Sequence, residues 1–387
     1  TGYAFMKMLL GALGYDSDIE GYTGANWSIA VGKRALGIGL DDGNDNFVGV
    51  NAVTREEACL YAFNTLKATM VEYDAKTTVS VEGAQVTVGG SEAKNVSQDG
   101  YKSYTGDSDD TTLEFCEKNF DKLKAKDDTN GFDAPATKWT YDGDEIGTYD
   151  KDADATLVVA DAEKSLETLI TDGDYMDISS KDIDADAKVY FNGLNLGKYS
   201  DVKGDDDLAG KGDIIDVYEN DDNDVETIVI RSYTYAKIDA VDDDLSTTLK
   251  NRDASVELSL VDINGDSLGN GDYYDDYNSD EKVLNGYNAD YEEGTVLAVA
   301  LAADAADDDA ILDSYVVETV TGTPSASRKV ETTDYANFLL GNYQGAGKGV
   351  KNGSITVDGT KYNYAAQFTG LTDTDTVNFN KENNVYL

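Results

Sequence analysis

Histidine is absent from the 387 residues. With it go the commonest general base, the commonest zinc ligand and every Ser-His or Cys-His nucleophile pair. Basic residues are scarce, 31 Lys and Arg against 76 Asp and Glu, for a formal net charge of -45. Such a field repels phosphate backbones, and no segment supplies a basic patch, so nucleic acid is excluded as a partner. No apolar run reaches the roughly 20 residues that cross a bilayer, and no membrane span is expected. The first residues carry no basic region ahead of a cleavage site, so if the protein is exported its signal peptide is already gone. With 2 Pro there are no stiff proline linkers, and boundaries must fall in Asp/Gly clusters. Cys59 and Cys116 make neither a disulfide framework nor a ligand cluster. Each sits on what reads as the apolar stripe of a helix, which leaves two readings, buried free thiols or a single bridge. Nucleotide loops are missing as well, because Gly341 to Gly349 is glycine-rich without the required frame. Carboxylate pairs are so abundant that glycosidase spacing carries no information.

What is present divides at about residue 74. Before it, helical periodicity dominates. Phe5, Met8, Leu9, Ala12 and Leu13 recur at helical spacing, and Gly14 follows as a stop. A second helix is expected from Asn26 as cap, with Trp27, Ala30, Val31 and Ala35 on one face and Gly37 and Gly39 ending it. A third opens with the capping box Thr54-Arg55-Glu56-Glu57, after which Cys59, Ala62, Phe63, Leu66 and Met70 line its buried side.

From Lys76 onward, short alternating runs punctuated by Gly, Asn and Asp predict β-hairpins. Thr78 to Val81 with Gln85 to Val88 form one. A helical island interrupts them, with Thr111 and Glu114 as a capping box and Leu113, Cys116, Phe120 and Leu123 as its stripe. An ambiguous segment covers 161 to 170. Strands follow at Lys188 to Phe191, Ile214 to Tyr218, Val225 to Ile238, Ser255 to Val261, Thr295 to Ala300, Ile311 to Val320, Ile355 to Tyr364 and Thr376 to Phe379. Their spacing suggests small sandwiches or barrels. Acidic turns at Asp41 to Asn46, Asp205 to Asp207, Asp221 to Asp224 and Asp242 to Asp244 gather hard oxygens suited to Ca2+, the one cofactor the composition suggests. Asp262 to Asp266 has the odd-position acids of a calcium loop but places Tyr273 where the bidentate Glu belongs. Solvated turns that keep a β protein soluble are the ordinary role of such clusters. Tyr outnumbers Phe 26 to 10, which suits half-buried strands, subunit contacts or sugar stacking.

At residues 26 to 68 the order of features is more specific: Asn26-Trp27-Ser28-Ile29-Ala30, then Gly37-Ile38-Gly39-Leu40-Asp41-Asp42-Gly43, Phe47, and Val53-Thr54-Arg55-Glu56-Glu57-Ala58. This resembles an S-layer homology (SLH) repeat, with Glu56 standing where the family pattern has Ala. Gly2 to Tyr15 looks like the closing helix of a preceding repeat, so the resemblance implies about one and a half repeats and further sequence upstream. Phe115 to Tyr149 is similar to segments that follow such repeats in surface proteins of clostridial-type Firmicutes. The resemblance implies export to the cell surface and noncovalent attachment to secondary cell-wall polysaccharide. It places Arg55 as a fixed cation for an anionic sugar substituent, supported by Thr54 and Trp27. The same residues have ordinary roles beside these, a solvated first-turn cation, a helix cap and a core anchor.

The expected architecture is multi-domain, a small α-helical SLH-like module followed by mainly-β, sandwich- or barrel-like modules with one helical insertion. Its divisions are 1–74 helical, 75–175 an α+β linker module, and β modules at 176–241, 242–322 and 323–387. The expected function is a noncatalytic, self-assembling extracellular structural protein, an S-layer lattice or surface-filament subunit whose partners are copies of itself and wall polysaccharide. The alternative is a wall-anchored adhesin or glycan-binding protein.

Overall fold

In the computed structural model of the chain, β-sheets predominate and helices are few, with a helical region at the N-terminus. The structure describes residues 1–74, 77–81, 84–88, 92–244, 253–261, 292–303, 311–317, 319–321, 324–326, 331–336, 346–363 and 384–386. The expected strand at 376–379, the calcium-like loop at 262–266 and Tyr273 lie outside them. No helix among the described residues is long and apolar enough to cross a membrane. The chain forms two compact units, Thr1–Asp127 with Thr137–Tyr149, and Asp128–Ala136 with Asp150–Leu387.

In the first unit, three helices precede the strands: α1 (Gly2–Ala12), α2 (Trp27–Gly37) and α3 (Arg55–Lys67). Glycine ends the first two in the same way. Past α1, Gly14 takes φ +104° while its N–H donates to the Gly11 carbonyl and that of Tyr15 to the Leu10 carbonyl. Past α2, Gly39 takes φ +70°, with Gly39 donating to Leu36 and Leu40 to Ala35. Both are paired backbone closures that use up otherwise orphaned carbonyls. The Thr54 cap of α3 is reciprocal, as expected: Glu57 N–H donates to Thr54 Oγ1 at 3.1 Å, and Thr54 N–H to Glu57 Oε2 at 2.7 Å.

The buried faces are rotated from the expected ones. On α1 the buried row is Gly2, Met6 and Leu10, continued by Leu13, and Met8 is 65% exposed. Gly2 allows this, since a Cβ there would lie 2.9 Å from the Phe47 ring, and the Gly2 and Tyr3 amides bond to Asn51 and Gly49. On α3 the buried residues are Tyr61, Asn64 and Thr65, whereas Cys59 and Ala62 are exposed. Asn64 can be buried because its Nδ2 donates to the carbonyls of Asp42 at 2.8 Å and Leu40 at 3.3 Å. Phe63 and Leu66 instead flank a second cluster of Cys116, Leu123, Ala125 and Trp139. Of the two cysteines, both free, only Cys116 is buried.

The helical core also draws in Met70, Val71 and Leu113. Leu113 reaches it on an extended segment that bonds on both sides, donating to the Val96 carbonyl and accepting from the Met70 amide. Next come β1 (Val71–Tyr73), the expected hairpin β2 (Thr77–Val81) with β3 (Ala84–Val88), and β4 (Ala93–Asn95), which pairs with β1. The helical island is short, α4 (Phe115–Asn119), and its cap is Glu114 rather than Thr111. Phe120 and Leu123 do not extend its stripe: Phe120 is 43% exposed and Leu123 opens a strand. A three-stranded sheet follows, in the order β5 (Leu123–Thr129), β6 (Pro135–Tyr141), β7 (Asp144–Asp150).

The second unit is built on a five-stranded sheet. Its strands are β8 (Ala155–Val158), β9 (Ile183–Phe191), β10 (Leu194–Lys198), β11 (Ile214–Glu219) and β12 (Val225–Arg231), ordered β10-β9-β12-β11-β8. β12 and β9 run parallel and the other pairs antiparallel. The segment 161 to 170 resolves into a loop and the start of α5 (Leu166–Thr171), capped by Ser165, and α6 (Tyr199–Val202) follows β10. Val189, Phe191, Ile215, Val217, Ile228 and Ile230 share a core with α5 residues Leu166, Leu169 and Ile170. The alternate residues Tyr190, Tyr218 and Val229 pack with Phe132, Ala134, Ala300 and Leu312 on the other side. Coverage of both faces explains why the strands read as continuous apolar runs. A four-stranded antiparallel sheet adjoins in sequence, β13 (Thr234–Asp244), β14 (Asp253–Leu260), β15 (Val296–Leu301) and β16 (Ile311–Val316), ordered β14-β13-β15-β16. Asn192 ties the two sheets together, its Nδ2 donating to the Ser232 and Leu301 carbonyls at 2.8 and 2.9 Å. Short pairs and a three-stranded sheet follow.

Candidate functional site

Trp27 occupies the first turn of α2, half-buried against the helical core, with Lys7 Nζ 5.7 Å from its ring centroid. Lys7 also donates to the Tyr22 carbonyl at 2.7 Å, so a cation is held against the indole face. Thr54 spends its hydroxyl on the α3 cap. Arg55 begins α3 and is exposed, with no ion pair to any described residue. Thr54 and Arg55 therefore share one helix start, while no hydrogen bond, ion pair or ring contact joins either to Trp27. Arg34 was not foreseen. It donates to Glu20 Oε2 at 2.9 Å and lies 5.1 Å from the Tyr15 ring centroid, while the Tyr73 hydroxyl donates to Glu20 Oε1 at 2.8 Å.

Local hydrogen bonds stitch two of the acidic turns. In Asp41 to Asn46, Asn44 Nδ2 donates to the Tyr61 hydroxyl at 2.6 Å, and Asn64 holds the Asp42 carbonyl. In Asp221 to Asp224, the Asn220 side chain accepts from Asp222 and Asp224. Metal-like convergence falls elsewhere among the described residues, at Asp110, Glu114 and Glu117, whose carboxylate oxygens lie within 4.8 Å of one another. Glu114 and Glu117 are buried, Asp110 half-buried.

The local backbone dictates this convergence. The Leu113 segment fixes Glu114 beside Thr69, and α4 returns Glu117 one turn later, with Glu114 N–H donating to Glu117 Oε2 at 3.2 Å. Thr112 Oγ1 and Thr69 Oγ1 donate to Glu114 Oε1 at 3.0 and 3.2 Å, and Tyr104 N–H to Glu117 Oε1 at 2.9 Å. Thr112 N–H donates to Asp110 Oδ1 at 3.1 Å. Gln98 Nε2 reaches Asp110 Oδ2 at 3.1 Å and both Glu117 oxygens at 3.2 Å. Burial first, then the charges of Glu117 and Asp110, push the Glu114 carboxyl up to about 7 against the opposing hydrogen bond from Thr112. The only sequence signal is acids at 110, 114 and 117, and the expected Thr111 cap gave Glu114 a different task.

Beside exposed apolar residues on helices and loops, such as Met8, Ile29 and Val50, a further set lies on strands at sheet edges. Ile146 and Tyr149 on β7 are 59% and 53% exposed, Val158 on β8 62%, and Tyr315 and Val316 on β16 48% and 51%. Each of these strands has one neighbour in its sheet among the described residues.

No protein-family model, curated protein or solved structure matches the chain.

Proposed function

We propose that the chain is a noncatalytic, extracellular structural protein that assembles with copies of itself into a surface lattice or filament, and that its helical region is an SLH-type module that contacts wall polysaccharide. On this reading the sheets are small β modules in series, and Arg55, supported by Thr54 and Trp27, faces the polymer. The observation that carries the proposal is the set of strands β7, β8 and β16, each with a single sheet neighbour among the described residues and carrying exposed Ile146, Tyr149, Val158, Tyr315 and Val316. Edges of that kind favour strand pairing between chains unless they are blunted. With a net charge of -45, copies also repel one another, so counterions are needed at their contacts.

The test is negative-stain microscopy of the purified chain with millimolar Ca2+ and with chelator. Ordered sheets or fibres are expected with Ca2+. Dispersed particles in both conditions, at every concentration tried, would overturn assembly and leave the wall-anchored adhesin reading in its place.

A further inference from the structure

We propose that Asp110, Glu114 and Glu117, with the side-chain carbonyl of Gln98, bind one Ca2+ within the first unit. An ion about 2.4 Å from each ligand leaves no two ligand oxygens more than about 4.8 Å apart. The three carboxylates meet that limit, each offering an oxygen within 4.8 Å of the others. A second observation points into the same space. Glu114 is only 8% exposed, and its Oε2 is buried with no hydrogen-bond partner, although this carboxyl abuts that of Glu117. Native structures rarely leave such an oxygen unsatisfied, and the cost is highest for a charged group.

Lys124 stands on the far side of the Ser103–Tyr104 peptide, donating to the Ser103 carbonyl at 3.1 Å. No Lys or Arg among the described residues forms an ion pair with any of the three acids. The positive end of the Gln98 amide faces them instead, nearly equidistant from Asp110 Oδ2 and both Glu117 oxygens. Turning that amide end for end replaces its nitrogen with a fourth oxygen ligand. Both oxygens of Glu117 accept from that one amide nitrogen. All-oxygen donors on an irregular set of segments suit Ca2+, which takes 6–8 oxygens in flexible geometry, better than Mg2+ with its strict octahedron. The site does not depend on assembly between chains.

Terbium serves as the probe on the full-length, chelator-treated chain, with Ca2+ as competitor. Trp139 and Tyr104 stack at 5.5 Å, and the Tyr104 amide bonds to Glu117, so indole excitation in a Trp27→Phe background, where Trp139 is the one indole, reports this site against the acidic surface. The expected result is indole-sensitised luminescence that saturates at one tight ion per chain and is displaced by Ca2+. Glu114→Gln and Asp110→Asn should each weaken binding by roughly 10–100-fold or more, the range known for loss of a mere outer-shell partner. Ca2+ should also raise the thermal midpoint of the parent chain but not that of Glu114→Gln, whose metal-free midpoint should match or exceed the parent's. Should Glu114→Gln not fold, half-buried Asp110→Asn carries the comparison. A parent chain without the sensitised signal, a signal that survives both substitutions, or a thermal midpoint insensitive to Ca2+ would overturn the site and leave a proton shared between Glu114 and Glu117.

Discussion

Phenols are buried throughout both units, and burial makes each hold its proton more tightly. Tyr22, Tyr73, Tyr104, Tyr199, Tyr218 and Tyr235 are pushed up to about 12 chiefly by loss of solvent, and Tyr233 is raised by burial and by its donation to Asp313 Oδ2 at 2.7 Å. An unfolded tyrosine ionises near pH ~10. The folded state therefore binds more protons between the two values, and stability held below pH ~10 is lost as pH climbs toward 12. A spectrophotometric titration should show exposed tyrosines ionising first and a delayed group that ionises together with loss of tertiary circular dichroism. A single transition near pH 10 with the fold intact would contradict the burial of these rings. Single residues were also where the sequence was least informative. Periodicity placed Cys59 and Cys116 alike on apolar stripes, yet neighbours decide burial, and the buried polar pair Asn64 and Thr65 turns the inner face of α3 away from Cys59. The Glu114 cluster was hidden because the expected Thr111 cap gave Glu114 another task and because its partners Thr69 and Gln98 come from distant segments.

At the scale of elements the punctuation was easier to read. Gly14, the Thr54–Glu57 box and the hairpin at 77–88 follow from short-range chemistry that any chain must obey, and each stands where it was expected. The rotation of α1 came from Gly2, whose role depends on the distant Phe47 loop. Two glycines of α1 and its end provide a contrast. Gly14 combines φ +104° with a site where a Cβ would lie 2.2 Å from the Val71 carbonyl oxygen, whereas nothing lies within 4 Å of a Cβ at Gly11. Gly14→Ala should cost about 2 kcal/mol or more, combining backbone strain with a steric clash. Gly11→Ala should be neutral or stabilise by about 0.5 kcal/mol through reduced unfolded-state entropy. Urea midpoints of the two variants check both, and equal effects would refute the assigned closure.

For the whole molecule, the broad plan of a helical start followed by β-sheets was legible from the change of period near residue 74. The extent of each core was not. The sheet β8 to β12 takes one strand from before residue 175 and four from after it, and the helical core takes Leu113 from well beyond 74. Cores close by long-range packing that alternation cannot register. A fragment ending at residue 74 lacks Leu113 and the flanking Val96 and Phe115, and it should show no cooperative urea transition, whereas a fragment of residues 1–149 should show one. Circular dichroism during urea titration separates the two, and a cooperative 1–74 fragment would assign the helices a self-sufficient core.

The Leu113 segment has a further consequence for the order of events as the chain is made. Synthesis delivers α1, α2 and α3 first, yet Met6, Leu10 and Tyr61 share their core with a residue that emerges much later. Until it docks between the Met70 and Val96 backbones, the nascent chain carries finished helices over an open apolar floor. Closing that floor requires joining Thr69 to Glu114 across 45 positions, a contact of long sequence separation whose loop-closure entropy must be met before the core is complete.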